Sequence, residues 1–155
     1  MPHRRRTLTL AGLLLAVALV GGCGTISTTP PAPTPADFQG IASEVTKRGI
    51  AIDHIVSGDA GCTDPALIPT AIGFTASGLD QADPTRIYLY VFRNREAFER
   101  LRATVDGCAR SFVTDPETFE TIEQSPFVVA AQGPWAPEFE TALRDSLEIA
   151  AGTGD

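Results

Sequence analysis

The sequence predicts an α+β fold, a two-layer sandwich in which three helices cover a mainly antiparallel sheet of four or five strands. Two patterns support this. Three segments repeat apolar residues at helical spacing, and five shorter segments are apolar or alternate with a period of two. Their order along the chain is α-β-β-β-α-β-β-α. Because a helix with a single apolar stripe must bury it, we expect the helices to pack on the sheet.

The first helix has the clearest signals. Thr34 supplies a capping hydroxyl, Pro35 occupies the first helical position and Asp37 places a carboxylate three residues after the cap. An apolar stripe follows at positions i, i+3, i+4 and i+7, formed by Phe38, Ile41, Ala42 and Val45. Gly49 provides the exit. Asn94 is expected to cap the second helix, which runs to about Ala109. The third helix is expected to begin at Pro137.

Five segments are predicted as strands: Ile50–Val56, Ala71–Ser77, Arg86–Phe92, Phe119–Gln124 and Phe127–Ala131. In the first, we expect Ile50, Ile52 and Val56 to lie on one side. The third strand has apolar residues on both faces, which favours a central strand covered on each side. The segment Asp80–Pro84 has turn composition. The second and third strands are therefore expected to pair antiparallel across a short turn.

The amino terminus combines a basic head, an apolar run and a placed cysteine. Arg4, Arg5 and Arg6 precede the run Leu8–Val20, which ends in Val20-Gly21-Gly22-Cys23. Such a segment is typical of a secretory signal peptide and is short for a membrane span. The last four residues resemble the lipobox of bacterial lipoproteins. The resemblance implies that Cys23 receives a diacylglyceryl group and that the signal is cleaved just before it.

Three other interpretations of this terminus remain open: an ordinary cleaved signal with a chance cysteine, a retained transmembrane helix, and export by a twin-arginine signal. If the lipobox resemblance holds, two acyl chains enter the bilayer. Each buried methylene contributes about 0.8 kcal/mol, and two chains suffice for stable anchoring. The expected localisation is the extracytoplasmic face of the cell membrane.

The domain organisation follows from this terminus. We expect a cleaved signal at residues 1–22, a disordered tether rich in Thr, Ser, Pro and Gly at 23–35, and a single domain at 36–151. Cleavage would remove three of the 12 basic residues, leaving 9 against 19 acidic ones, a net charge of −10. An acidic domain repels nucleic acid and anionic lipid, so nucleic acid is not expected as a partner and the lipid must hold the protein at the membrane.

The two remaining cysteines, Cys62 and Cys108, form an even pair in an exported and oxidising setting, which predicts one disulfide. Closing a loop of about 46 residues would stabilise the fold by up to about 4 kcal/mol in the chain-entropy model. A catalytic or metal-binding thiol is the alternative. Metal binding would require further ligands nearby, and His54 is the only histidine after the signal.

Catalytic patterns are weak. His54 follows Asp53 in a predicted strand, where neighbouring side chains point to opposite faces and a direct Asp–His pair is not expected. Acidic residues cluster after the second helix, at Asp115, Glu117, Glu120 and Glu123, and an acid/base hydrolase would need two of them facing across a cleft. The oxygen-rich loop 59–64 lacks the spacing of an EF-hand. No motif for a cofactor is found, and neither a cofactor nor a metal is expected.

Trp135 lies in the unusual segment Gly133-Pro134-Trp135-Ala136-Pro137. A tryptophan between prolines is a candidate for recognition of a ligand or partner, and the alternative is a side chain that fills the edge of the core. Taken together, the sequence favours a lipid-anchored extracytoplasmic binding or interaction module without catalysis of its own. Its partner would be an envelope protein or a small molecule. A small envelope hydrolase and a structural accessory of an envelope complex remain the alternatives.

Overall fold

The computed structural model describes residues 35–152, with side chains from Phe38 onward. The predicted signal peptide, the lipidation site at Cys23 and the tether up to residue 34 lie outside the described residues. Within them, the three helices are α1 (Pro35–Lys47), α2 (Arg95–Ala109) and α3 (Pro137–Gly152). The five strands are β1 (Ile50–Ser57), β2 (Ala71–Gly78), β3 (Gln81–Val91), β4 (Phe119–Gln124) and β5 (Phe127–Gln132).

The strands form one antiparallel sheet in the order β1-β2-β3-β5-β4. The predicted α+β class and the order of the eight elements are confirmed. Asn94 caps α2 as expected, because its side-chain oxygen accepts a hydrogen bond from the Ala97 amide. β3 is the central strand, and β1 and β4 are the edges.

Both faces of the sheet are covered, which adds a layer to the predicted sandwich. We call the side covered by α1 and α3 the α1–α3 face, and the side covered by α2 and residues 58–70 the α2 face. Alternate residues of β3 point to opposite faces of the sheet. Ile87 and Leu89 lie in the core of the α1–α3 face, and Tyr90 lies in the core of the α2 face. β3 is apolar on both sides because each side is buried in a core, as its sequence pattern indicated for a central strand.

The turn between β2 and β3 differs from the prediction. Gly78 pairs with Gln81, so the turn consists of Leu79 and Asp80, and β3 already includes the segment 81–84 that was expected to be turn. Leu79 has a φ of 55°, in the left-handed region. A two-residue turn of this hand matches the twist of the flanking strands, which explains why the strands run on to it.

A bulge in β1 overturns two further expectations. Asp53 pairs with Thr75 and Val56 with Gly73, so two residues of β1 oppose only Phe74, and His54 takes a φ of 49°. Val56 is therefore shifted away from the side of Ile50 and is 47 % exposed. The bulge also brings His54 Nδ1 within 3.1 Å of Asp53 Oδ2. The expectation that these two side chains cannot meet was wrong, although both are largely exposed.

Candidate functional site

Three chain segments meet at the end of the domain opposite residue 35. α1 carries the chain about 18 Å from Pro35 to Lys47, at about 1.5 Å per residue. Its exit at Gly49 lies beside the β2–β3 turn, where Leu79 Cδ2 is 3.2 Å from the position a Cβ would take on Gly49. The start of α3 joins them, because the Ala136 amide donates to Gln81 Oε1 at 2.9 Å. We call this region the distal end.

The distal end is fixed by a helix cap that comes from a distant strand pair. Asp80 accepts hydrogen bonds from the amides of Glu138 and Phe139, both at 2.9 Å, and so satisfies two of the unpaired N–H groups at the start of α3. Desolvation raises the pKa of Asp80, but these hydrogen bonds outweigh it and lower the pKa below its ordinary value of 3.8. The β2–β3 turn and α3 are thereby held in one geometry.

Leu79 in this turn is half exposed, with its Cδ2 beside Gly49 and the rest of the side chain toward solvent. Its φ of 55° places a branched side chain where glycine or asparagine is usual, and the residue is 47 % exposed. A left-handed conformation costs an L residue about 1–2 kcal/mol. Because Leu79 is partly exposed, the apolar area that it buries offsets little of this cost. The combination of a strained backbone and an exposed apolar side chain makes Leu79 a candidate recognition residue.

A groove lies on the helical side of the distal end, between the end of α1 and the start of α3. It has a volume of about 440 Å³ and is lined by Arg48, Pro137, Glu138, Thr141, Ala142 and Asp145. The Arg48 guanidinium is held in place by the Glu44 carbonyl and carboxylate, at 3.2 and 3.0 Å. Hydrogen bonds from Lys47 and Arg48 lower the pKa of Glu44. The groove is open rather than enclosed, which suits a polypeptide surface better than a small molecule.

Trp135 lies in the core of the α1–α3 face. It is 6 % exposed and meets Phe139 edge to face, with ring centroids 6.2 Å apart. Its Nε1 has no hydrogen-bond partner among the described residues. This placement corresponds to the alternative given above, a side chain that fills the edge of the core. It removes the exposure on which a recognition role for Trp135 depended.

The predicted disulfide is present. Cys62 and Cys108 are joined, with their Cα atoms 5.5 Å apart. The loop that carries Cys62 is also held by Asp59, which accepts a hydrogen bond from the Gly61 amide and forms an ion pair with Arg86. Arg86 crosses β2 above Gly73, where a Cβ would lie 2.5 Å from its Nη2. A side chain at position 73 would therefore force this ion pair to shift.

The acidic residues after α2 do not converge. Glu120 is paired with Ala131 and Glu123 with Val128, so the two carboxylates lie on opposite faces of β4. Glu123 forms an ion pair with Arg102 of α2. Asp115 accepts a hydrogen bond from the Glu117 amide and caps a 3-10 turn. Glu120 and Glu123 therefore do not face each other across a cleft, as the hydrolase alternative would require.

The carboxylates of the oxygen-rich loop 59–64 accept hydrogen bonds from nearby backbone amides. Asp59 accepts a hydrogen bond from the Gly61 amide, and Asp64 accepts one from the Ala66 amide. Among the residues from 35 to 152, no group of three or more His, Cys, Asp or Glu side chains is placed to hold a metal ion. Over the same range, no helix has both the length and the apolar character needed to cross a membrane.

Comparisons with known proteins give no relatives: no family model, curated protein or solved structure matches this chain. The site must therefore be judged from its own residues. Sequence reasoning missed Leu79, since the turn was placed at Asp80–Pro84, one residue late at its start and four residues late at its end. It included Asp80 in the turn but did not identify this residue as the cap of α3. No local signal would have placed the turn correctly, because Asp83 and Pro84 have turn composition although they lie within β3.

Proposed function

We propose that the protein is a lipid-anchored extracytoplasmic binding module, tethered through Cys23, which meets a partner protein of the cell envelope at its distal end. The basic head, apolar run and terminal cysteine of residues 1–23 support the anchor. The path of α1 supports the orientation, because the lipid-bearing segment enters at Pro35 and the distal end lies at the other end of that helix.

The observation that carries the binding role is Leu79. It is an exposed apolar side chain in a strained turn, and that turn is itself rigidly tied to α3 through Asp80. A rigid apolar anchor loses little conformational entropy on binding, as interface hot spots require. The groove at the same end of the domain, lined by Arg48 and Glu138 among others, offers polar groups for the same partner.

The anchor is tested by phase partitioning of the full chain in a detergent that separates on warming. Wild type is expected in the detergent phase, and Cys23→Ser is expected as an unprocessed precursor or a species lost from that phase. Amino-terminal sequencing gives the second readout. Recovery of wild type in the aqueous phase with Gly24 or a later residue at its terminus contradicts the lipoprotein assignment.

The binding surface is tested with a photo-crosslinking amino acid at position 79 in the native cell. Ile149 is the matched control, because it is 44 % exposed against 47 % for Leu79 and lies near the opposite end of α3. A discrete crosslinked species is expected from position 79 and not from position 149. Equal crosslinking at both positions, or crosslinking at 149 only, argues against the distal end.

Replacement of Leu79 separates function from folding. Asparagine tolerates the left-handed conformation, so Leu79→Asn is expected to leave the unfolding temperature unchanged or higher. It is expected to weaken partner binding by about tenfold or more, equivalent to about 1.4 kcal/mol. Unchanged affinity together with unchanged stability would show that Leu79 is a neutral surface residue.

A further inference from the structure

The two cysteines of the disulfide differ in exposure and in their neighbours. Cys108 is 4 % exposed, and its Sγ lies 3.0 Å from the Ala60 carbonyl oxygen and 3.7 Å from the Tyr90 hydroxyl. Cys62 is only partly buried. A nucleophile that attacks a disulfide must reach one sulfur and expel the other. Accessibility to solvent therefore helps to decide which of the two sulfurs is attacked.

A groove leads to this disulfide. Its volume is about 540 Å³, and both cysteines line it together with hydroxyl-bearing residues, the cation Arg110 and the carboxylate of Asp64, which partly offsets the Arg110 charge. The Arg110 Nη2 lies 3.4 Å from the position a Cβ would take on Gly107, so the guanidinium reaches over the last turn of α2 beside Cys108. A positive charge beside a disulfide draws in anionic sulfur nucleophiles.

The buried side provides a donor for the sulfur that leaves. The Tyr90 hydroxyl donates its one proton to the Ala60 carbonyl at 2.8 Å, and it can turn this donor to the Cys108 sulfur, 3.7 Å away, when negative charge develops there. Burial raises the pKa of Tyr90, so this group keeps its proton. The C-terminal end of α2 disfavours a thiolate at Cys108, which makes exchange slow but does not change which sulfur is accessible.

The geometry points to Cys62 as the thiol-exchange site of this protein, reached through the groove beside Arg110 by the thiolate of an external thiol or of a dithiol oxidoreductase. The incoming thiolate forms a bond to Cys62 Sγ. The Cys62–Cys108 bond breaks, and its electron pair leaves with Cys108 Sγ, which then takes up a proton. The product is a mixed disulfide on Cys62 and a free thiol on Cys108. The reverse sequence closes the disulfide during oxidative folding.

Sulfite is a suitable probe, because it is an anionic sulfur nucleophile that leaves a stable S-sulfonate on the sulfur it attacks. The full-length protein in detergent micelles is treated with sulfite under native conditions, and the released thiol is then blocked with iodoacetamide. Trypsin separates the two cysteines into different peptides, since Arg86 and Arg102 lie between them. The expected product carries the sulfonate on Cys62 and the alkyl group on Cys108.

Two variants test the route. Arg110→Gln is expected to slow the reaction by about fivefold at low salt, with the difference shrinking as salt screens the charge. Arg100→Gln, an exposed position on the same helix outside the groove, is the control and is expected to react at the wild-type rate. Tyr90→Phe is expected to slow the reaction without moving the sulfonate from Cys62.

Three results would overturn the inference: a sulfonate on Cys108, equal sulfonate on both cysteines, or no reaction until denaturant is added. An unchanged rate in Arg110→Gln would contradict the inferred approach of the nucleophile beside the Arg110 guanidinium. Circular dichroism of each variant establishes that it is folded before its rate is compared. Reduced glutathione, used as a second probe with an acid quench, is expected to give the same position of attack.

Discussion

The two faces of the sheet are covered by different means. On the α1–α3 face, 17 of the described residues form one buried cluster of aliphatic and aromatic side chains. On the α2 face, nine described residues form the buried cluster, and one of them is Cys108. Here the covering segments are also joined by a disulfide and by ion pairs, at Arg86–Asp59 and Arg102–Glu123.

The difference shows how a small domain can use two sources of stability at once. Burial of apolar area is non-directional and scales with the number of side chains, which suits two helices with continuous stripes. The α2 face has one helix and an irregular loop, so specific long-range links compensate for the smaller core. Four variants, one of them a double substitution, test one side of this comparison or the other, in order of decreasing expected effect.

Removing Trp135 attacks the apolar face. Trp135→Ala takes a buried aromatic out of the larger cluster and is expected to lower the free energy of unfolding by about 3–5 kcal/mol. Denaturant unfolding at neutral pH measures it. Leu79→Ala, which removes an exposed apolar side chain, is the control and is expected to change stability little. A loss below about 1 kcal/mol for Trp135→Ala would mean that this face does not depend on close packing.

Removing the disulfide attacks the α2 face. Replacing both Cys62 and Cys108 by alanine opens a link that spans 46 residues, and the expected loss is about 2–4 kcal/mol. The same loss is expected when wild type is reduced, and the double variant is expected to show no response to reductant. If reduction left the unfolding curve in place, the disulfide would not be what holds the loop to α2.

Filling the space above Gly73 attacks the ion pair of the same face. A methyl group in Gly73→Ala would lie 2.5 Å from Arg86 Nη2 and 2.6 Å from Asp59 Oδ2, so the pair must move. Overpacking of this kind costs about 1–3 kcal/mol. Comparison with Arg86→Met, which lacks the guanidinium, separates the clash from the ion pair. Gly73→Ala is expected to cost much less in the Arg86→Met background.

Titrating Asp80 tests the link between the β2–β3 turn and α3, and its effect is the smallest. Because folding lowers the pKa of Asp80, its contribution is fully present above pH 3.8 and is lost as the pH falls through the folded value. Asp80→Asn keeps one acceptor oxygen and removes the titration. Wild type is therefore expected to lose more stability than Asp80→Asn between pH 5 and pH 2. Parallel pH profiles would show that the cap carries no charge-dependent stability.

The apolar face was predictable because its residues repeat locally. The stripes of α1 and α3 and the alternation of β2 and β3 depend on neighbours a few positions apart, and the order of elements and nearly all of their bounds were obtained from them. The disulfide was predicted from cysteine parity, which needs no geometry.

The features that sequence reasoning missed all depend on contacts between distant residues. Asp80 caps a helix that begins 57 residues later, at Pro137. The β1 bulge places His54 in the left-handed region, and its carbonyl accepts from Arg86 across β2, a contact no local period encodes. Trp135 illustrates the same limit, because its sequence context is compatible with a recognition anchor and with a core-filling side chain, and only its packing against Phe139 in the core decides between them.

Native-state hydrogen exchange with and without reductant tests the comparison most directly. If covalent and ionic links hold the α2 face, reduction should accelerate amide exchange in α2 and in residues 58–66. Exchange in α1 and α3 should stay at its oxidised rate, because apolar packing holds these helices. The account is contradicted if reduction accelerates all three helices equally, or if α1 and α3 open before α2.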